Sequence, residues 1–230
     1  PVISPTGFCP SSAPARTFNV TAVTAQQALL GGTLVYNPRP NNGGPLNDPT
    51  AILYVRTSDL DLQGRLKPGV PIEPLILRAN PGDCITLTLN NNLPATAPDL
   101  PGFNTLPMIV ERFNANQVRP SSHVGLHPQM LTMDVIGNDG ANVGFNKVQT
   151  APPGGSKSYR WYAGDFTTNI FGRRFSIPIE FGATNLISSD RIKHGNKGAI
   201  GSLIIEPRGS TWTEDVQARA SATVTPPIGM

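Results

Sequence analysis

Charge is what this sequence has least of. Only 14% of its 230 residues are Asp, Glu, Lys or Arg, against about a quarter in an ordinary soluble domain. The surplus of 18 basic over 15 acidic residues is too small for a nucleic-acid surface. The densest basic stretch is Gly172-Arg173-Arg174, with Arg160 nearby. Aromatic residues are scarce at 7%, which leaves little for the exposed aromatic row of a carbohydrate-binding sandwich. No apolar run approaches the roughly 18 residues of a membrane span. The two cysteines, Cys9 and Cys84, lie far apart with no CxxC spacing, so a zinc knuckle is excluded. A Gly-rich phosphate loop, a nucleophile elbow and an HExxH helix are all missing. The first residues, PVISPTGFCP, contain neither an initiator Met nor a charged-then-apolar leader. A removed leader, or a segment of a larger polypeptide, is the expectation.

Proline (24) and glycine (23) are abundant, but they are scattered between apolar runs rather than clustered. That pattern calls for many short strands joined by turns. A chain of this length buries roughly 70% of its unfolded surface and holds a core without staples. Low charge suits an extracytoplasmic protein (secreted, periplasmic or cell-surface), or one covered in part by other domains. Cys9 and Cys84 are then either two buried thiols or a disulfide tying the N-terminal lead to the strand that begins at Cys84. The composition favours the disulfide.

Residues 1–15 read as a Pro/Ser-rich lead-in segment, 16–208 as one domain, and 209–230 as a C-terminal linker or arm. Within the domain, RTFNVTAV alternates as a strand, and its Asn19-Val20-Thr21 fits a glycosylation sequon. TAQQALL makes a helical turn or two before Gly31-Gly32. TLVYNP and AILYVRTSDL are strands. IEPLILRANPGDCITLTLNNNLP is a strand, an Asn-Pro-Gly-Asp turn and an alternating strand. Residues 94–120 are mostly loop. SKSYRWYAGDF, FSIPIEFGATNLI and KGAIGSLIIEP supply further strands, with a polar loop over 188–196. Trp161 is assigned to the core, facing opposite to Tyr159 and Tyr162. The sum is about seven to nine strands at sandwich spacing, with almost no helix.

Three stretches, in this order, resemble a cupredoxin domain of a multicopper oxidase. ANPGDCITLTLNNNLP resembles the family's early Pro-Gly-Asp turn and strand. SSHVGLHPQ, the Asp139-Gly140 beyond it and APPGGSKSYRWYA resemble the copper-ligand strand and its successor. IEFGATNLISSDRIKHGNKGAIGSLIIEP resembles the closing pair of strands. The likeness spans residues 16–207, and its flavour is that of large bacterial enzymes of the manganese-oxidising type. It implies an all-β, Greek-key, cupredoxin-like β-sandwich with long loops and little helix. Other cupredoxin domains or subunits of the same oxidase would be its partners, with no nucleic acid and no membrane span.

The family's ligands are only partly present. A type 1 copper needs a Cys thiolate, two His and usually an axial Met, but the closing stretch has no Cys. No type 1 copper is therefore expected here. His194 is left as a solvated loop residue beside Lys193 and Lys197, and Met108, Met130, Met133 and Met230 have no such site to cap. The trinuclear cluster takes His-x-His pairs, because alternate strand residues share a face about 6–7 Å apart. The first pair's place reads His123-Val124-Gly125 and the second falls near Gly182-Ala183-Thr184. His127 does not simply replace the missing partner, since in an extended strand it stands roughly 13 Å from His123.

His123 and His127 are nonetheless the candidate metal ligands, with copper held through a cluster shared with another domain. Polar strand or turn histidines are the plainer alternative for both. Asp139-Gly140 reads as a hairpin turn. Asp134, Asp165, Glu180 and Asp190 are unpaired in sequence and read as turn and surface carboxylates, though they are of the type that binds Mn(II). Two functions remain: a largely structural domain of a larger oxidase, inactive as this chain alone, or a metal-free secreted structural or binding module.

Overall fold

A computed structural model describes residues 9–37, 45–100, 109–110, 113–114, 119–142 and 144–228. Most of the lead-in segment, part of the 94–120 loop, Met108 and Met230 lie outside them. Seventeen strands are present among the described residues: β1 (Ala15–Thr24), β2 (Leu34–Asn37), β3 (Leu46–Asp48), β4 (Ile52–Arg56), β5 (Leu75–Ala79), β6 (Cys84–Asn91), β7 (Ile109–Val110), β8 (Phe113–Asn114), β9 (Leu126–Pro128), β10 (Thr132–Met133), β11 (Ser156–Tyr162), β12 (Gly164–Thr168), β13 (Arg174–Pro178), β14 (Gly182–Ser188), β15 (Ile200–Ile205), β16 (Thr211–Glu214) and β17 (Ala222–Thr225). One short helix, α1 (Ala25–Ala28), follows β1; the Thr24 side chain accepts a hydrogen bond from the Gln27 N–H and caps it.

Nine strands build two sheets, ordered β10-β11-β6-β1-β4 and β5-β15-β14-β9. Both sheets feed one core, with Ile85, Leu87 and Leu89 from β6 meeting Leu77, Leu186 and Leu203 from the other sheet. The period of two is plain in β6, where Thr86 and Thr88 face outward between those residues. Each fully buried Leu or Ile contributes on the order of 2 kcal/mol. This is the all-β, two-sheet sandwich with little helix expected from the sequence.

The Asn80–Asp83 turn explains how β5 hands over to β6. Gly82 sits at φ +86, a conformation open to glycine and closed to most side chains. The Asp83 N–H bonds back to the Asn80 carbonyl, and the Asp83 carboxylate accepts from the Asn80 N–H. The end of β1 is buried on both faces, because Val23 joins Ala28, Leu29, Leu53 and Val55 in a second, smaller core outside the sheet.

Three details differ from the sequence expectation. Tyr159 and Trp161 share a face rather than opposing each other: both are buried and their rings stack at 5.7 Å, as residues two apart on a strand must. Tyr162 alone faces the other way, into a pocket with Cys9, Cys84 and Phe166. Asp139-Gly140 does not close a hairpin; it lies in the long connection between the paired strands β10 and β11. The tail folds back as the β16–β17 hairpin. The Arg56 guanidinium donates to both Glu214 carboxylate oxygens, Arg78 donates to the carbonyls of Arg219 and Ala220, and Arg219 pairs with Asp59.

Cys9 and Cys84 are joined by a disulfide, with their Cα atoms 5.6 Å apart, and the chain has no free cysteine. No helix among the described residues is long and apolar enough to cross a membrane.

Candidate functional site

The segment 121–128 enters the second sheet as β9, and each of its histidines has a different fate. His123 precedes the isolated bridge between Val124 and Ala151 and is exposed. His127 sits on β9 opposite Ile187, half-buried. Its Nδ1 lies 2.8 Å from the Asp139 carbonyl oxygen and 3.2 Å from the Asp139 carboxylate. Both facing atoms are acceptors, so in the neutral ring Nδ1 carries the proton and Nε2 keeps its lone pair.

Gly125 explains why a His-x-His pair cannot form here. A Cβ at residue 125 would stand 2.1 Å from the Gly140 carbonyl oxygen and 3.0 Å from Ser189 Cβ. A Cβ at Gly140 would meet the Leu126 carbonyl at 2.1 Å. Two backbones are pressed together at the place where the second ligand of the pair would stand. The other His-x-His place is also occupied by a structural contact. Thr184 is buried, and its hydroxyl donates to the Gln129 carbonyl.

His194 is not a solvated loop residue. It is fully buried, as are Lys193 and Lys197. Its Nδ1 lies 2.7 Å from Ser188 Oγ and its Nε2 lies 2.6 Å from the Ser121 carbonyl oxygen. The carbonyl can only accept, so Nε2 carries the proton and Nδ1 accepts from Ser188. Ser188 in turn lies 2.8 Å from the Tyr54 hydroxyl. Burial holds the imidazole below its ordinary range, against the opposing pull of Asp190 and the Ser121 carbonyl.

Asp190 organises the turn around this ring: its carboxylate accepts from the N–H groups of Ser121, Ile192 and Lys193. The two lysine ammoniums are paired as well. Lys193 meets Asp99 at 3.2 Å, and Lys197 meets Asp99 at 3.2 Å and Asp48 at 3.4 Å. The Ser188 hydroxyl and the His194 ring have no access to solvent, so this Ser-His-Asp grouping offers no nucleophile to a substrate.

The residues do not fit a type 1 copper. Both cysteines are consumed in the disulfide, and both nitrogens of His194 are engaged by the protein. They do not fit a complete trinuclear cluster either. Among the described residues no three His, Cys, Asp or Glu side chains converge, and the side chain that would complete the first pair has no room. Asp134 and Asp190 are turn carboxylates that accept backbone N–H groups. Met130 and Met133, left without a role by the sequence, line one groove with His127 and Asp139. The spacing His-x-x-Met-x-x-Met was the signal available for them.

The fold and these residues together define an all-β sandwich domain in which the ligand positions expected from the sequence are largely taken over by structural contacts. No family model matches the sequence, and no curated protein matches it. Among solved structures it is similar to a multi-copper oxidase from Pseudomonas thermotolerans, at 14% identity and a TM-score of 0.44, over 88% of this chain and 32% of that one. A copper nitrite reductase from Nitrosomonas europaea shares 14% identity at a TM-score of 0.43, over 85% of this chain and 42% of that one. The multicopper oxidase mgLAC shares 13% at 0.41, over 84% and 39%. The chain thus spans between a third and about two-fifths of the length of these proteins.

Proposed function

We propose that this chain serves as an architectural, cupredoxin-like domain of a larger extracytoplasmic multicopper oxidase. In that role it packs against neighbouring domains and contributes at most one ligand, His123, to a copper cluster they share. The observation that carries the reading is the pressed contact of Gly125 on Gly140 beside the exposed His123. The first ligand position of the family pair is open to a partner, and the second is sealed by backbone. Exposed apolar side chains on the long connection after β10 (Val135, Ile136, Phe145 and Val148) and at the β12–β13 tip (Ile170 and Phe171) support packing against other protein. A metal-free structural or binding module is the second reading, favoured by the place of the other pair, where buried Thr184, rather than a histidine, donates to the Gln129 carbonyl. A manganese-oxidising parent is the finer form of the first.

The test is a visible and paramagnetic-resonance spectrum of the Cu(II)-loaded chain and of its parent assembly. The oxidase reading expects an intense blue band in the parent and none in the chain alone, with cluster signals altered in a parent carrying His123→Ala. A parent without a copper spectrum overturns the oxidase reading in favour of the metal-free module. Cluster signals unmoved by His123→Ala remove that residue from the site.

A further inference from the structure

Strands β9 and β10 belong to different sheets, and only Gln129–Leu131 separates them. The short crossing spans the open edge of the sandwich. His127 stands on one edge strand, Met133 on the other and Met130 at the turn between them. All three line one open groove, together with Asp139. We propose that His127, Met130 and Met133 form a binding site for a soft monovalent cation, Cu(I) or its analogue Ag(I).

The chemistry of the donor set selects the ion. Two thioethers and one imidazole are soft, neutral donors, which suit Cu(I) and offer nothing to Mg(II), Ca(II) or Mn(II). The imidazole is already prepared as a ligand. Asp139 fixes the proton on Nδ1 with its carbonyl at 2.8 Å and its carboxylate at 3.2 Å, leaving Nε2 as the donor, the arrangement by which an outer carboxylate orients a metal-binding histidine. Met133 is half-buried against the core, so its side chain is steadied before any ion arrives.

Met130 supplies an independent observation. Among the described residues it is the one non-glycine with positive φ, at 63°, in a region that costs a side-chain-bearing residue free energy. Its side chain is largely exposed, so packing does not repay that cost. The turn is held in place from outside: the Gln129 N–H donates to the Asn185 carbonyl at 3.0 Å, the Thr184 hydroxyl donates to the Gln129 carbonyl, and Asn185 Nδ2 donates to Gln129 Oε1 at 3.1 Å. A backbone forced into this shape would carry glycine more comfortably. A methionine there is accounted for by what its sulfur does.

Both cysteines are joined in the disulfide, so no thiolate competes for a soft ion. The inference is independent of the oxidase reading. Cu(I) and Ag(I) are closed-shell ions, silent in the visible and paramagnetic spectra that test that reading.

The experiment is titration of the full, disulfide-intact chain with Ag(I), followed by methyl NMR of the methionines, and competition for Cu(I) against bicinchoninate without oxygen. Saturation at one equivalent, with the Met130 and Met133 methyl signals moving together, is expected. His127→Gln, Met130→Leu and Met133→Leu should each weaken binding by about tenfold or more, and Asp139→Asn by about tenfold. Met130→Gly is the decisive variant: glycine accepts the positive φ, so its melting temperature should hold or rise while the affinity is lost. Unmoved methyl signals, equal affinity in the triple variant H127Q/M130L/M133L, or Ag(I) displaced by equimolar Zn(II) would each overturn the proposal.

Discussion

Ser188 Oγ lies 2.7 Å from Nδ1 of His194 in the buried interior, and the pair joins three distant parts of the chain. The Tyr54 hydroxyl approaches Ser188 from β4, the Ser121 carbonyl meets the far ring nitrogen, and Asp190 ties Ser121 to the turn. The neutral ring orders every proton: Tyr54 donates to Ser188, Ser188 to His194, and His194 to Ser121. Protonating Nδ1 reverses the hydroxyls. Ser188 then donates toward Tyr54, and Tyr54 toward the Gly125 carbonyl 2.9 Å away. Burial, the largest influence, makes that charged state unfavourable.

Stability should therefore depend on pH through His194. Its folded-state pKa lies below the ordinary 6.5, so below 6.5 the unfolded chain binds the proton more readily. The contribution is complete above that value and is lost as pH falls toward the lowered folded-state pKa. Urea unfolding across pH 5 to 8 checks this: His194→Gln should be less stable at pH 8 and should lack this segment of the pH profile. An unchanged profile in that variant removes the network from the explanation.

Asp99 gives a second, more acidic dependence. Burial raises its pKa, but the Leu100 N–H and the ammoniums of Lys193 and Lys197 outweigh it, and the net shift is downward. Its contribution is present above the ordinary carboxylate range and is lost as pH falls through the lowered folded value. Asp99→Asn should flatten that acidic portion, measured in the same unfolding series, and leave the portion governed by His194 intact.

Gly125→Ala should destabilise the domain by roughly 3 kcal/mol or more, because the new methyl meets carbonyl oxygen rather than a flexible side-chain tip. Gly31→Ala is the control for losing a glycine without crowding, since nothing lies within 4 Å of a Cβ there and its φ, like that of Gly125, is not positive. Equal losses in the two variants would contradict the crowding argument.

Removing Glu206 should cost about 3–5 kcal/mol, because the buried Arg78 would lose its buried carboxylate partner and keep only the more distant Glu214 at 3.7 Å. Glu214→Ala, at the edge of the same cluster, should instead loosen the β16–β17 hairpin. Faster proteolysis within residues 209–225, with the sandwich intact, is the expected readout.

Reducing the Cys9–Cys84 disulfide should lower stability by about 4 kcal/mol in the chain-entropy account, for a crosslink spanning 75 residues. The double variant C9S/C84S should show the same loss and no further response to reductant.

Much of the frame is readable from one-dimensional pattern. Alternation in CITLTL and SKSYRWY, the Asn-Pro-Gly-Asp turn and Thr24 ahead of α1 are local signals, because strand faces, turns and caps depend on neighbours within a few residues. The shared face of Tyr159 and Trp161 was also written in their spacing of two. The depth of His194 was not. Flanked by two lysines it reads as solvated, and its burial depends on Tyr54, Ser121, Asp48 and Asp99, all remote in sequence. The tail hairpin is comparable, anchored by Arg56 and Arg78 from the other end of the chain.

The amino-acid sequence by itself determined that this protein is an all-β sandwich with little helix, because side-chain periodicity is a local property. Tertiary structure decided which histidine is exposed, which is buried and which lines a groove with two methionines. It also decided that no side chain fits at Gly125. Those outcomes depend on which segments are brought into contact, and close packing makes such contacts unforgiving to within the width of a methyl group.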